Sequence, residues 1–296
     1  MDSGPTANRG LLGVRTNEQH ATLARKQGHE RKAEVVSRYE RWNTLLEKLA
    51  DEGRLDVEET ARGLSVSAAT IRRDFDQLAQ QQMLTRTRGG AVANAVAYDL
   101  PLRYKTARHA PEKQRIGAAA ADLVRPGQVV GFNGGTTTSE AARALGTRPD
   151  LHDQASDTGV TIVTNALNIA NELTVRPHVK IVLTGGVART QSYELIGPLA
   201  YGVLENVSLD IVLLGVDALD VSEGAAAHNE GEASINRLMA SRARQVVAVA
   251  DSSKLAQHAF AKICGIDQID TLITDSGAER RHTDAIAEAG VRVTAV

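Results

Sequence analysis

Seven apolar runs of five or six residues recur between residue 127 and the last residue, Val296. They are "GQVVGF", "GVTIVT", "VKIVLT", "DIVLLG", "QVVAVA", "DTLIT" and "VRVTAV". Strands that are apolar along their whole length are typical of a parallel sheet covered on both faces. Segments between the runs, such as "TTTSEAARAL" and "NALNIANEL", have helical spacing. The sequence therefore predicts an α/β fold with a mostly parallel, doubly wound sheet.

A smaller pattern precedes this region and consists of three helical segments followed by a hairpin. Residues 36–50 have apolar side chains at helical spacing, and "DVEETARGL" predicts a second helix that begins at Asp56. The third helix is predicted from Ala68 to Gln81, with Ser67 as its N-cap. The segment "MLTRTRGGAV" then alternates and carries Gly89-Gly90, which predicts a hairpin or tight loop. Three helices and a hairpin in this order predict a winged helix-turn-helix.

The third predicted helix keeps its arginines away from its apolar face. Ile71, Phe75 and Leu78 share one face, whereas Arg72 and Arg73 lie outside it. The second helix of a helix-turn-helix presents its early residues to base edges, and arginine binds guanine or phosphate there. An isolated "IRRD" would be better explained by a solvated amphipathic helix, but the capped turn and the basic wing favour DNA binding. The predicted DNA contacts are Ser67, Ala68, Ala69, Thr70, Arg72, Arg73, Arg86 and Arg88.

A glycine-rich turn in "GFNGGTTTSEAARAL" joins the first predicted sheet strand to a helix. Gly134 and Gly135 leave backbone N–H groups free to face a ligand, and a helix N-terminus favours an anion. The motif is neither a Walker loop nor a dinucleotide fingerprint. The alternative interpretation of this loop is a plain strand-to-helix turn with a threonine cap.

Other predicted strands of the sheet also end in polar or glycine residues. Ligands of open α/β sheets bind outside the carboxyl ends of the strands, so these ends together predict a site for a small polyol phosphate. Lys254 could neutralise a phosphate, and Asp217 and Glu232 could accept bonds from sugar hydroxyls. The predicted effector site comprises Gly134, Gly135, Thr136, Thr137, Thr138, Asn165, Gly185, Gly186, Asp217, Glu232, Asp251 and Lys254.

The segment "GRLDVEETARGLSVSAATIRRDFDQLAQQQMLTRTRGGAV" resembles the DNA-binding domain of the DeoR family of bacterial transcriptional regulators. The resemblance continues through "GGTTTSEAARAL", "TIVTNALNIANEL", "VLTGGVAR", "LIGPLA" and "VADSSK", and covers about residues 36–275. It implies a homo-oligomeric repressor, a dimer or tetramer, whose C-terminal domain is similar to ribose-5-phosphate isomerase and binds a phosphorylated sugar.

Two details of the resemblance bear on the ligand. The family loop resembles D-x-G-T-T, and Asn133 stands where that aspartate often occurs, which removes a negative charge beside the predicted phosphate site. The "HNEGEA" segment resembles a subgroup linked to amino-sugar catabolism. The expected function is thus a transcriptional repressor of a sugar or amino-sugar catabolic operon that a phosphorylated sugar releases from its operator.

An active sugar-phosphate isomerase with an appended DNA-binding module is the alternative. The isomerases that the second domain resembles have a lysine just before the loop that carries their catalytic glutamate, and "GAAAHNEGEASINR" has none. We therefore expect a sensor without catalytic turnover. We expect no cofactor and no metal, because His228 and the nearby glutamates lack a metal-ligand pattern.

The expected domains are a disordered tail over residues 1–33, a winged helix-turn-helix DNA-binding domain over 34–92, a linker over 93–112 and an effector-binding domain over 113–296. The tail lacks the apolar middle of a secretory signal, and we find no apolar run of about 18 residues that would span a membrane. Cys264 is the single cysteine, which fits a reducing compartment. We expect a cytoplasmic protein.

Overall fold

The computed structural model describes residues 38–81, 83–93, 102–106, 108–152 and 159–296, and the predicted tail over residues 1–33 lies outside them. The first part of the chain has the three helices and the hairpin that the sequence predicts. Its elements are α1 (Arg38–Glu52), β1 (Arg54–Asp56), α2 (Val57–Gly63), α3 (Ala68–Gln80), β2 (Leu84–Arg86) and β3 (Gly90–Ala93).

Local signals set the helix boundaries in this part. Gly53, with φ +70°, follows the end of α1, and the Asp56 carboxylate accepts bonds from the N–H groups of Glu58 and Glu59 at the start of α2. The Ser67 hydroxyl caps α3 by accepting a bond from Thr70 N–H. The wing is a three-stranded antiparallel sheet in the order β1–β3–β2. Strand β1 was not predicted, because three residues with one apolar side chain give no readable alternation.

The second part of the chain is longer and contains one large sheet. Its helices are α4 (Leu102–Lys105), α5 (Ala110–Ala121), α6 (Thr136–Gly146), α7 (Leu167–Leu173), α8 (Tyr201–Glu205), α9 (Glu230–Ser241) and α10 (Arg280–Glu288). Its strands are β4 (Val129–Phe132), β5 (Val160–Thr164), β6 (Val179–Leu183), β7 (Val187–Ala188), β8 (Leu195–Ile196), β9 (Ile211–Gly215), β10 (Ala218–Asp220), β11 (Gly224–Ala227), β12 (Val246–Val249), β13 (Ala261–Cys264), β14 (Thr271–Thr274) and β15 (Arg292–Ala295).

All seven predicted strands lie in one sheet with the order β15–β14–β12–β9–β4–β5–β6, and every neighbouring pair is parallel. The chain runs outward from β4 through β5 to β6, then returns to the other side of β4 and continues from β9 to β15. The direction of winding therefore reverses between β4 and β9. At such a reversal the loops after the two strands diverge and leave a crevice at their carboxyl ends.

Both faces of the large sheet are covered by apolar side chains. In β9, Leu213 belongs to a cluster that includes Ile116 of α5, whereas its neighbour Leu214 belongs to a second cluster that includes Met239 of α9. Burial on both faces explains why the strands are apolar without alternation. The winged helix-turn-helix has a third cluster of its own, around Leu45, Ile71 and Phe75 among others.

The structure also differs from the sequence prediction in three places. Two small antiparallel sheets, β10–β11–β13 and β7–β8, were not predicted, since "GAAA" and "VA" have neither the length nor the side chains of a typical strand. The segment predicted as a linker contains α4, and α5 begins at Ala110 inside it. Pro111 occupies the first turn of α5, where a missing N–H costs nothing. Among the described residues, no helix is long and apolar enough to cross a membrane.

Candidate functional site

Helix α3 has the phase that its sequence predicts. Ile71, Phe75 and Leu78 are fully buried, whereas Arg72 and Arg73 are exposed. The first turn is partly accessible, because Ser67 and Ala69 are exposed while Ala68 and Thr70 are half-buried. An exposed row of small and basic side chains therefore lies along the N-terminal half of α3.

The four arginines predicted to contact DNA differ in their partners within the protein. Arg72 forms an ion pair with Glu58 of α2 at 2.7 Å. Arg86 of β2 donates to Asp76 and to the Gly90 carbonyl oxygen at 2.8 Å each, and its guanidinium lies 5.6 Å from the centre of the Phe75 ring. Arg73 and Arg88 are exposed, and within the part of the chain that the structure describes neither has an ion-pair partner. These two guanidinium groups are the ones most available to a phosphate or a base.

Asp74 shows a contact that sequence analysis did not identify. This aspartate is buried in the middle of α3 and accepts bonds from Arg41 at 2.5 Å and from the Trp42 indole at 2.8 Å. The contacts fix α3 against α1, and a buried carboxylate without them would be very costly. Sequence spacing gives no signal for this contact, because its partners are more than 30 residues away.

The larger candidate site is a cleft at the carboxyl ends of β4 and β9, where the sheet reverses its winding. It has a volume of about 200 Å³. Eight of the twelve predicted effector residues line it: Gly134, Gly135, Thr136, Thr137, Asp217, Glu232, Asp251 and Lys254. The expected convergence of separate strand ends is therefore present in the structure.

Asn133 connects the two strands whose ends form the cleft. Its side-chain amide donates to the Gly215 carbonyl oxygen at 2.9 Å, and its side-chain oxygen accepts from Gly215 N–H at 2.7 Å. An aspartate at this position could accept the second bond but, when ionised, could not donate the first. The asparagine in place of the family's aspartate thus has a structural use in this chain.

The loop after Asn133 brings a helix N-terminus to the cleft. Gly135 precedes α6 with φ +138°, and no side chain among the described residues caps the helix. The first-turn N–H groups of an α-helix have no partner within the helix. Thr136 and Thr137 occupy this turn and line the cleft. The turn therefore offers N–H donors, hydroxyl groups and the positive end of the helix dipole to an anion.

Basic side chains border the same cleft, and most were missed because their segment was predicted to be a linker. Lys105, Arg108, His109 and Lys113 line it together with Lys254. The pKa of Lys113 is lowered to about 8, chiefly by burial, although the charge of Asp251 acts in the opposite direction. Asp251 is buried, and burial works against its ionised form. The Ser253 hydroxyl bond and the charges of Lys113 and Lys254 nevertheless lower the pKa of Asp251.

Acidic side chains line another part of the cleft. Glu194, which sequence analysis did not single out, is buried, and its carboxyl accepts a bond from Asn165 at 2.8 Å. Burial and the nearby charge of Glu232 raise the pKa of Glu194 to about 8. Burial also raises the pKa of Glu232, despite its ion pair with Arg189 at 2.9 Å. The raised pKa favours the protonated form of the Glu194 carboxyl, which can donate a hydrogen bond.

The need for glycine at position 134 is explained by the proximity of Glu194. A Cβ atom at position 134 would lie 2.4 Å from the Glu194 Cγ, so only glycine allows this glutamate to enter the cleft. Glu194 and Arg189 lie on the irregular chain around β7 and β8, which has no period that a sequence analysis could use.

The remaining four predicted effector residues do not line the cleft. Thr138 is fully buried and donates to the Gly135 carbonyl oxygen at 3.1 Å, while Asn165 is buried behind Glu194. Gly185 and Gly186 have φ of +80° and +118°, and a Cβ at Gly186 would lie 2.8 Å from the Ile196 carbonyl oxygen. These glycines are needed where the chain leaves β6 and forms the β7–β8 hairpin. Strand-end position alone could not distinguish them from residues that face a ligand.

No cluster of three or more His, Cys, Asp or Glu side chains suited to a metal ion occurs among the described residues. His228 lines the cleft, and its backbone N–H donates to the Asp217 carboxylate at 3.0 Å. This contact holds the loop before α9 against the end of β9.

Two family models match the chain. The model described as a DeoR-like helix-turn-helix domain matches residues 41–96, and the model described as a DeoR C terminal sensor domain matches residues 108–276. The second match alone covers more than half of the chain, and it contains every residue that lines the cleft except Leu102 and Lys105.

Named relatives match over most of their length. The HTH-type transcriptional regulator GlpR of Haloferax volcanii is 34% identical over 86% of this chain and 96% of that protein. The glycerol-3-phosphate regulon repressor of Escherichia coli K12 is 30% identical over 80% of this chain and 90% of that protein. Among solved structures, ribose 5-phosphate isomerase A from Methanocaldococcus jannaschii is 18% identical over 49% of this chain and 54% of that chain, with a TM-score of 0.36.

Proposed function

Because the chain belongs to the DeoR family of transcriptional regulators, we propose that it controls an operon for the catabolism of a sugar or amino sugar, and that a phosphorylated sugar releases it. The chain is a DNA-binding transcriptional repressor and not an enzyme, in agreement with relatives that are named as a transcriptional regulator and a regulon repressor. The ligand class and the identity of the contact residues are the parts that we propose.

The cleft at the end of β4 and β9 is the observation that carries the ligand proposal. Its α6 turn offers N–H donors and the hydroxyl groups of Thr136 and Thr137, and Lys254 adds a positive charge. A phosphate group meets hydrogen-bond donors and positive potential at such a turn. Since both threonines lie in the first turn of a helix of 11 residues, the dipole contribution comes from a full-length helix.

The acidic side chains of the cleft suit the hydroxyl groups of the sugar, the part of a sugar phosphate that carries no charge. The carboxyl oxygens of Asp217 and Glu232 accept hydrogen bonds, and a Glu194 carboxyl that keeps its proton can donate one, so sugar hydroxyl groups find both acceptors and a donor in the cleft. Asn236 also lines this cleft and is buried, and its side-chain oxygen has no hydrogen-bond partner among the residues that the structure describes. A buried acceptor without a partner is costly, and a ligand hydroxyl would relieve that cost.

We assign operator contacts to the exposed side of α3 and to the wing. Ser67 to Thr70 would approach base edges, while Arg72, Arg73 and Arg88 would bind bases or phosphates. Arg86 is already bonded to Asp76 of α3 and to the Gly90 carbonyl of the wing, so its contribution to DNA binding would come from holding the wing against α3. Accordingly, Arg73 and Arg88 should contribute more to operator affinity than Arg86.

The proposal includes a homo-oligomer, a dimer or tetramer, in the cytoplasm. Helix-turn-helix regulators commonly bind two half-sites as symmetric dimers, because one helix reads only a few base pairs. Exposed Val187, Leu199 and Phe260 are apolar and available for contacts between copies of the chain. Light scattering of the free and operator-bound protein would measure the assembly directly.

The decisive experiment measures binding of the full-length protein to the DNA upstream of its own gene and neighbouring operons. A panel of sugar phosphates, amino-sugar phosphates and the matching unphosphorylated sugars is then titrated into the complex. We expect release by a phosphorylated compound and none by its unphosphorylated form. Release by an unphosphorylated sugar at equal concentration would reject the phosphate assignment, and a lack of sequence-specific binding would reject the operator assignment.

A further inference from the structure

Lys113 is buried in the first turn of α5, with 5% of its surface exposed. Lysine is rarely buried unless its ammonium group has partners. Its Nζ donates to the carbonyl oxygen of Lys105 at 3.2 Å and to that of Arg108 at 2.5 Å. The carboxylate of Asp251, beyond the end of β12, supplies the opposite charge.

Both carbonyl acceptors belong to residues 102–109, which we call the connecting segment because it lies between the wing and the first helix of the sensor region. A second bond holds the start of this segment, from Leu102 N–H to the Gln191 carbonyl oxygen at 2.6 Å. Leu102, Lys105 and Gln191 all line the cleft. The chain that leads to the DNA-binding region is therefore also one wall of the ligand cleft.

The end of the connecting segment has an unfavourable backbone conformation. His109 has φ +53°, in the left-handed region that a residue with a side chain seldom adopts. Lys113 stabilises this turn twice, since its backbone N–H donates to the His109 carbonyl oxygen at 3.0 Å and its ammonium to the preceding Arg108 carbonyl. Strained conformations persist where surrounding contacts impose them, so loss of the ammonium contact would favour relaxation of the turn.

We propose that Lys113 couples the cleft to DNA binding, because an anionic ligand draws its ammonium group away from the Lys105 and Arg108 carbonyls and releases the connecting segment. This inference rests on the proposed function, in which the ligand carries a phosphate. The Lys113 ammonium is attracted more strongly to the negative charge of a phosphate than to a neutral carbonyl oxygen, so a phosphate competes with the Lys105 and Arg108 carbonyls for it. A ligand that binds the released state more tightly shifts the protein towards it.

The test compares the full-length parent with Lys113→Met, which keeps the aliphatic chain and removes the ammonium donors. Hydrogen–deuterium exchange of peptides covering residues 102–109 is measured without ligand, together with operator affinity. We expect amide exchange in the segment to rise at least tenfold and operator affinity to fall at least tenfold. Lys180→Met removes an exposed lysine of β6 and should leave both unchanged. Arg115→Met removes an exposed charge from α5, the helix that contains Lys113, outside the cleft, and should leave segment exchange unchanged.

The following results decide whether Lys113 couples the cleft to DNA binding. Parent-like exchange and operator affinity in a folded Lys113→Met protein would overturn the coupling role. So would an equal increase in exchange in Arg115→Met, because loss of charge alone would then explain the effect. If Lys113→Met does not fold by circular dichroism, Lys113→Gln replaces it, with the same expected direction and the same overturning result. Failure of every sugar phosphate to release the parent would reject the proposed ligand instead, while the ligand-free exchange comparison still tests Lys113.

Discussion

The side-chain amide of Asn133 and the backbone of Gly215 exchange two hydrogen bonds, at 2.7 and 2.9 Å, between the carboxyl ends of β4 and β9. Asn133 is buried, so water cannot replace either bond. These two strands flank the point where the sheet reverses its winding, and the ligand cleft opens directly beyond them. The pair therefore fixes the relative position of the α6 turn and the Asp217 loop, which lie on opposite sides of the cleft.

Replacing Asn133 with aspartate should destabilise the protein in a pH-dependent way. An ionised carboxylate would face the Gly215 carbonyl oxygen without a proton to donate, at a cost of about 1–3 kcal/mol. The repulsion and burial raise the folded-state pKa of the new carboxyl, so the folded form retains a proton that the unfolded form loses. Stability relative to the parent should thus decrease as the pH rises from 5 to 8.

Urea unfolding of the parent and of Asn133→Asp at pH 5 and pH 8 measures this effect. Asn206→Asp is a matched control, because the Asn206 side chain also donates to a backbone carbonyl but is exposed. An equal loss of stability at both pH values in Asn133→Asp would show that the donated bond to Gly215 does not matter.

Arg73→Ala should weaken operator binding without changing the melting temperature, because Arg73 is exposed and has no described ion-pair partner. A lost base contact should cost ~1–3 kcal/mol and relax specificity at one position. A lost phosphate contact should weaken all sequences alike and reduce the salt slope by about 1. Fluorescence anisotropy with operator and scrambled DNA at several salt concentrations separates these cases. Arg280→Ala, an exposed arginine of α10, is the control, and parent-like affinity in Arg73→Ala would remove this residue from the interface.

Glu194→Gln should remove a pH dependence of stability that the parent shows. The folded-state pKa of Glu194 is raised to about 8, above its unfolded value, so its proton stabilises the fold at low pH and the contribution is lost as the pH rises towards 8. The groups that influence it are Glu232, Asp217, Asn165 and Asn236. Melting temperatures between pH 5.5 and 8.5 should fall less steeply in Glu194→Gln than in the parent. Glu205→Gln, at an exposed glutamate, should keep the parent's slope, and an unchanged slope in Glu194→Gln would reject this assignment.

The large sheet and α3 were predictable because their signals are local. Each strand of the sheet is apolar along its length, and the spacing of Ile71, Phe75 and Leu78 determines which face of α3 is buried. Asp74, Lys113 and Glu194 were not predictable, since their burial depends on partners supplied by the tertiary fold. Lys113 directly follows residues 93–112, where the absence of a clear period and Pro111 suggested a linker that ends before it. Pro111 instead occupies the first turn of the helix that contains Lys113.

The effector site was predictable in part for a related reason. Parallel strands end at one edge, so polar residues after β4, β9 and β12 could be expected to converge, and Thr137, Asp217 and Lys254 do line one cleft. Gly185 and Gly186 also follow a strand, but β6 is at the edge of the sheet, away from the reversal between β4 and β9. Strand order, which determines this distance, cannot be obtained from the pattern of a single sequence.

Thr137→Asp should separate release by the ligand from binding to the operator. Thr137 lies in the first turn of α6 and lines the cleft, so an aspartate there adds a negative charge where we propose that a phosphate binds. Like charges repel strongly in a partly desolvated pocket. The variant should bind its operator with parent affinity, because residues 41–93 are unchanged, but it should require at least tenfold more of the sugar phosphate that releases the parent.

Two further variants make this result interpretable. Thr137→Ser keeps the hydroxyl group and should be released like the parent. Thr147→Asp places the same charge at the exposed C-terminal end of α6, outside the cleft, and should also be released like the parent. If Thr137 only contributes to the start of the helix, aspartate serves equally well there and release survives. The ligand concentration for half-release is measured for Thr137→Asp and for the parent by anisotropy on operator DNA. Equal concentrations would show that the phosphate does not bind at this turn.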